Sequence, residues 1–123
     1  MLSLTMGSNG NRAQIATQEQ TLSPVYAGRL EIRPADHAAL VDGRPLTLTV
    51  TELQLLTELA HNPERVMTRE ELCSRVWGRE YRKSDRSVDV YVGRLRTKLA
   101  NALPGRSFIH THTGIGYRFS PEG

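Results

Sequence analysis

A chain of 123 residues, 38% of them hydrophobic, has room for one domain with one modest core and is too short for a multidomain enzyme. Its net charge of +3 hides an asymmetry: residues 75–118 carry ten Lys/Arg against three Asp/Glu, whereas residues 1–74 carry six against nine. Such a field favours an anionic polymer as partner, because neutralised phosphates release their counterions and charge steering speeds association.

Residues 1–24 are rich in Ser, Thr, Asn, Gln and Gly, lack sustained periodicity and read as a flexible polar leader; a single domain is expected over 25–121. Short strands follow in VYAGRLEI, HAALV and LTLTV, with Asp42-Gly43 as a hairpin turn. Thr51 opens a first helix, with Gln54 completing a capping box and Leu53, Leu56, Leu59 and Ala60 forming the buried stripe until Asn62-Pro63 stops it. Thr68 and Glu71 open a second helix in the same way, carrying Leu72, Val76 and Trp77 and ending at Gly78.

The loop REYRKSD leads to a third helix over about 85–99, capped by Ser84 or Asp85. Val88, Val92, Leu95 and Leu99 recur at i, i+4, i+7 and i+11 and form one apolar stripe. The other faces carry Arg86, Tyr91, Arg94, Arg96 and Lys98. Pro104-Gly105 then turns the chain into FIHTHT and YRF, a hairpin over 108–119 joined through Gly114-Ile115-Gly116. The fold class is α+β, with an N-terminal antiparallel sheet, three helices and a C-terminal β-hairpin.

Little in the chain points to other chemistry. Cys73, the only cysteine, falls in an apolar helical pattern and reads as a small core residue. His110 and His112 lie two apart on one strand face, as zinc ligands can, but a site needs three or four ligands, and Cys73 and His61 belong to other elements. No metal and no cofactor are expected. A glycine-rich phosphate loop, an HExxH pair and a nucleophile in its usual motif are all missing, so no enzymatic activity is expected. No apolar run is long enough to span a membrane, and the N-terminus lacks the flank and apolar segment of a secretory signal. The protein is expected in the cytoplasm, at the nucleoid when bound to its partner.

Four segments in order, LTVTELQLLTELAHNPERVMTREEL, RVWG, DRSVDVYVGRLRTKL and HTHTGIGYRF, resemble the OmpR/PhoB family of bacterial winged-helix transcription regulators over about residues 26–119. The resemblance implies a winged helix-turn-helix that binds double-stranded DNA sequence-specifically, with the third helix in the major groove and the wing on the adjacent backbone or minor groove. It implies base reading by Asp89, Val90 and Arg94. Arg94 can bond a guanine edge through two donors, and Val90 can meet a thymine methyl. Asp89 either accepts from cytosine, orients an arginine, or is simply a first-turn carboxylate favoured by the helix dipole.

The resemblance places Trp77, Arg86, Ser87, Tyr91, Arg96, Thr111, Thr113 and Tyr117 at family positions on the DNA backbone or groove edge, and Lys98 and His112 are further candidate backbone contacts. For Trp77 a core role is an equal alternative, and for Tyr117 so is packing of the hairpin onto the third helix. Two departures stand out: Gly93 replaces a common basic residue, and Thr113 sits where several members carry an arginine, which leaves protonated His110 or His112 to meet phosphate. The loop of Arg79, Glu80, Tyr81, Arg82 and Lys83 corresponds to one that faces RNA polymerase. A second hypothesis follows from it, a protein-interaction winged helix with weak DNA binding. Read as complete, the chain is a stand-alone effector domain with no receiver before it, monomeric when free and placed in tandem on DNA.

Overall fold

The computed structural model describes residues 23–121. Of the leader expected over 1–24, only Ser23 and Pro24 lie within the described residues.

The chain begins with an antiparallel meander of four strands: β1 (Val25–Ala27), β2 (Leu30–Arg33), β3 (Ala38–Val41) and β4 (Arg44–Pro45). Strand alternation puts Ala27, Leu30, Ile32, Ala39 and Val41 on one face, and all five are buried. The Asp-Gly hairpin forms as expected. Asp42 and Gly43 both take positive φ (54° and 78°) between the paired Val41 and Arg44, the type I′ geometry that matches strand twist.

LTLTV does not form the expected strand. The ladder ends at Pro45; only the Leu46 amide still reaches the Ala39 carbonyl, at 2.8 Å. Leu46 and Leu48 pack against the core without strand pairing, so burial alone produces the alternation that looks like a strand. Thr49 is needed elsewhere, as the cap of α1 (Val50–Ala60).

That helix therefore starts earlier than a box at Thr51 and Gln54 predicts. The Thr49 hydroxyl accepts from the Glu52 amide (3.2 Å), and the Glu52 carboxylate accepts from the Thr49 amide (2.9 Å). Two overlapping T-x-x-E/Q patterns compete here, and the carboxylate wins because it also serves a lysine of the third helix. Leu53, Leu56, Leu59 and Ala60 are buried as expected, together with Leu55.

A short strand that local pattern does not reveal, β5 (Val66–Thr68), precedes α2 (Arg69–Trp77). The Thr68–Glu71 capping box is present with both bonds at 3.1 Å, and Gly78 closes the helix in the left-handed region. The third helix, α3 (Ser87–Ala102), begins two residues later and ends about a turn later than expected. Neither expected residue is its formal cap. Arg86 holds that place without a side-chain capping bond, while the Asp85 carboxylate accepts from the Ser87 amide at 2.9 Å. Val88, Val92, Leu95 and Leu99 are fully buried, each contributing roughly 2 kcal/mol of burial.

The terminal hairpin consists of β6 (Ile109–His112) and β7 (Gly116–Phe119). With β5 it forms a three-stranded sheet in the order β5-β7-β6, so β7 is its centre. Met67, Ile109, Tyr117 and Phe119 face the core, where Phe108 stacks on Phe119 at 5.9 Å. The two wing glycines serve different needs. Gly114 takes φ +77°, whereas Gly116 is required for space: a Cβ there would lie 1.9 Å from the Met67 carbonyl oxygen. Cys73 is buried, and burial pushes its thiol pKa up, away from the reactive thiolate. Among the described residues, no helix is long and apolar enough to cross a membrane.

Candidate nucleic-acid interface

The face of α3 opposite its apolar stripe is an exposed row of Arg86, Val90, Gly93, Arg94 and Thr97. These positions follow one another at helical spacing, so they look outward together. Val90 is 44% exposed, unusual for a valine on a helix. Arg94 lies across the ring of Tyr91, its guanidinium carbon 4.8 Å from the centroid, and Tyr91 meets Trp77 edge-on at 5.4 Å. Trp77 and Tyr91 are half-buried against the core.

Other residues grouped with this row in sequence are drawn inward. Asp89 stands at the junction of α3, α2 and the wing: its Oδ1 accepts from Arg69 Nε at 2.8 Å and from the Tyr117 hydroxyl. Burial by itself would raise the Asp89 pKa, but those two donors and the charge of Arg69 outweigh it and hold the carboxyl below its ordinary value. Burial and the Asp89 carboxylate together push the Tyr117 hydroxyl up. Of the roles open to Asp89, orienting an arginine matches this geometry, and the arginine is Arg69. Tyr117 is buried, its hydroxyl already engaged, and the guanidinium carbons of Arg69 and Arg96 lie 5.1 and 5.5 Å from its ring centroid.

Arg96 and Thr111 form the second clasp between helix and wing. Arg96 donates to the Ile109 carbonyl (3.0 and 3.2 Å) and to the Thr111 hydroxyl. Lys98 turns toward α1, with Nζ 2.6 Å from Oε1 of the buried Glu52. Burial alone would raise the Glu52 pKa; hydrogen bonds from Lys98 and the Thr49 amide, with the lysine charge, bring it below its ordinary 4.5. Ser87 accepts from Arg79 at 3.0 Å, and Arg79 also pairs with Asp85, whose carboxyl is held well below the usual range by those contacts. Two loop residues are thus used to set the start of α3.

On the wing, Thr111 and Thr113 are exposed, and His112 Nε2 accepts from Arg118 at 3.2 Å. His110 sits opposite Arg118 in register on the same sheet face. Ile115, absent from the sequence-derived set, is 55% exposed at the wing tip. Its glycine neighbours hid it, since a lone apolar residue in a turn carries no periodic signal. Among the described residues, no group of three His, Cys, Asp or Glu could hold a metal ion.

Gly93 also lies in this row, and among the described residues an added Cβ there meets nothing within 4 Å. No internal packing therefore requires glycine at this position. Gly93→Ala is expected to raise the unfolding free energy by about 1 kcal/mol, read by denaturant melts, because alanine removes the backbone entropy cost of a helical glycine.

The matched family model is that of the C-terminal domain of transcriptional regulatory proteins, covering residues 43–119. The phosphate regulon regulatory protein PhoB of Escherichia coli is 40% identical over 91 residues, 74% of this chain and 39% of PhoB. The uncharacterized regulatory protein YclJ of Bacillus subtilis is 40% identical over 84 residues, 68% of this chain and 36% of YclJ. The chain thus spans about two fifths of the length of the curated relatives it matches. Among solved structures, the DNA-binding domain of E. coli CpxR superposes with a TM-score of 0.74 at 32% identity, covering 80% of this chain and 96% of that one. The Klebsiella pneumoniae RstA DNA-binding domain, solved in complex with the RstA box, gives 0.74 and 32%, covering 81% and 99%. Matched in sequence over most of its described residues and in structure over nearly the whole of these domains, the chain belongs to the OmpR/PhoB family of winged helix-turn-helix effector domains.

Proposed function

We propose that this chain is a sequence-specific double-stranded DNA-binding regulator of transcription, acting in the cytoplasm, with α3 in the major groove and the wing on the adjacent backbone or minor groove. The observation that carries the reading is the exposed row Arg86, Val90, Gly93, Arg94 and Thr97, on a helix clasped to the wing through Asp89 and Arg96. The RstA domain in complex with its box supports it. In this reading Arg94 and Val90 read bases, while Arg86, Ser87, Thr111 and Thr113 fix register on phosphates. Asp89, Arg96 and Tyr117 hold the wing, and Lys98 holds α1. The domain is monomeric when free and binds in tandem on DNA.

Arg94→Ala is expected to cost about 1–3 kcal/mol on the preferred duplex and to relax the preference at one base pair. Arg86→Ala should weaken binding to all duplexes alike and reduce the salt slope by about one. Titrations against preferred and scrambled duplexes at several salt concentrations separate the two. Uniform loss with Arg94→Ala would make it a phosphate anchor instead.

The loop before α3 supports a second contact, with RNA polymerase. Arg79 is spent on Asp85 and Ser87, but Glu80, Arg82 and Lys83 are exposed around the half-buried Tyr81, beside Glu70 and Ile115. Charge reversal at Arg82 and Lys83 should lower polymerase recruitment to a bound promoter without changing duplex affinity.

A further inference from the structure

We propose that Tyr91 is a specificity-determining residue that acts through Arg94: its ring holds the Arg94 guanidinium in a reading position before DNA arrives. This rests on the assignment of Arg94 as a base reader. Tyr91 and Arg94 are three residues apart, so they share one side of α3, and the lean of helical side chains toward the N-terminus carries Arg94 back over Tyr91. The guanidinium carbon comes to 4.8 Å from the ring centroid.

The ring is itself fixed. It meets Trp77 with the planes at 68°, and Trp77 packs against the core at the end of α2. A file of three groups thus runs from the core through Trp77 and Tyr91 to an arginine that is otherwise exposed. A free arginine loses rotamer entropy when it binds, and an arginine already stacked loses less. Stacking occupies only the flat face of the guanidinium and leaves its in-plane N–H donors available for the two acceptors of a guanine edge. Gly93, adjacent on the row, supplies no charge, so base preference along this stretch depends on how well the one arginine is placed.

The ring, not the hydroxyl, carries this role, which distinguishes it from a phosphate contact. The test is selection of bound duplexes from a random pool, followed by affinity titration on the selected site, for the wild type, Tyr91→Phe, Tyr91→Leu, Arg94→Ala and the Tyr91→Leu/Arg94→Ala double variant. Tyr91→Phe should select the wild-type motif with wild-type affinity. Tyr91→Leu should lose about two- to fivefold on the preferred site and flatten the preference at the base pair that Arg94→Ala flattens, leaving other positions unchanged. The double variant should bind no more weakly than Arg94→Ala alone. Far-UV circular dichroism and thermal melts check that each variant is folded.

Uniform loss across sequences in Tyr91→Phe would overturn the proposal in favour of a hydroxyl–phosphate contact, and that result does not depend on the leucine variant folding. So would an unchanged motif in Tyr91→Leu, or additive losses in the double variant. A wild type that selects a motif insensitive to Arg94→Ala would instead remove the assignment of Arg94 on which the proposal rests.

Discussion

Gly116→Ala should lower the melting temperature by at least about 10 °C, the largest effect expected of any single methyl group in this domain. The added Cβ would lie 1.9 Å from the Met67 carbonyl oxygen, 2.8 Å from its carbonyl carbon and 2.9 Å from Thr68 Cα. All three are backbone atoms of β5, so no rotamer change relieves the clash and the β5–β7 ladder must open. That ladder holds the central strand of the wing sheet, which carries Tyr117 and Phe119 into the core. A cost of about 3 kcal/mol follows for overpacking of this kind. Gly114→Ala is the control. Its φ of +77° is costly for alanine, yet the space around it is open, so the loss should be only about 1–2 kcal/mol. Thermal melts of the two variants side by side give the answer, and a Gly116→Ala protein that melts with the wild type would contradict the register of Thr68 against Gly116.

The second large effect is expected at the ion pair between α1 and α3. Lys98→Met leaves the carboxylate of Glu52, only 1% exposed, with the Thr49 amide as its remaining donor in place of a cation. Because the lysine end of the pair is partly open to water, the cost should fall near the lower end for a broken buried pair, about 3 kcal/mol at neutral pH.

Its pH dependence has a definite sign. In the wild type the Glu52 pKa is depressed below 4.5, so its contribution is complete above the ordinary carboxylate range and is lost as pH falls through the depressed value. In Lys98→Met, burial is no longer outweighed, and the folded-state pKa should rise above that of the unfolded chain. The penalty is then largest at neutral pH and shrinks as the medium is acidified, first through the raised pKa of the variant and then through the depressed pKa of the wild type. Urea melts of both proteins between neutral and mildly acidic pH should therefore converge. A constant gap would mean that Glu52 does not depend on Lys98. Glu52→Gln, which keeps the capping box and removes the charge, should relieve most of the Lys98→Met penalty in the double variant.

What could be read from sequence was local. The Thr68–Glu71 box, the Asp42-Gly43 turn, the end of α2 at Gly78 and the stripe of Val88, Val92, Leu95 and Leu99 each depend on neighbours within a turn or a hairpin. Residues Val66–Thr68 escaped notice because their strand partner, Gly116–Arg118, lies about fifty positions away. LTLTV misled because Leu46 and Leu48 alternate for the sake of the core and not for a ladder.

The same division holds at the interface. The outward row of Arg86, Val90, Gly93, Arg94 and Thr97 follows from the period of the buried stripe. Arg96 and Lys98 look like further surface groups in sequence, and Asp89 and Tyr117 leave an internal role open without naming the partner; Arg96 meets Ile109, Lys98 meets Glu52, and Asp89 meets Arg69 and Tyr117, on elements the helical period says nothing about. Charged side chains on the flanks of α3 thus hold the helix to its neighbours, while those on its outer face are free to meet a partner.

The claim at the centre of this account is that the outer face of α3 distinguishes one duplex sequence from another. Selection of bound duplexes from a random pool, at near-physiological salt, addresses it directly. The account predicts an enriched motif bound at least about a thousandfold more tightly than unrelated duplex. A folded protein that enriches no sequence, or that binds all duplexes alike with only a steep salt dependence, would contradict it.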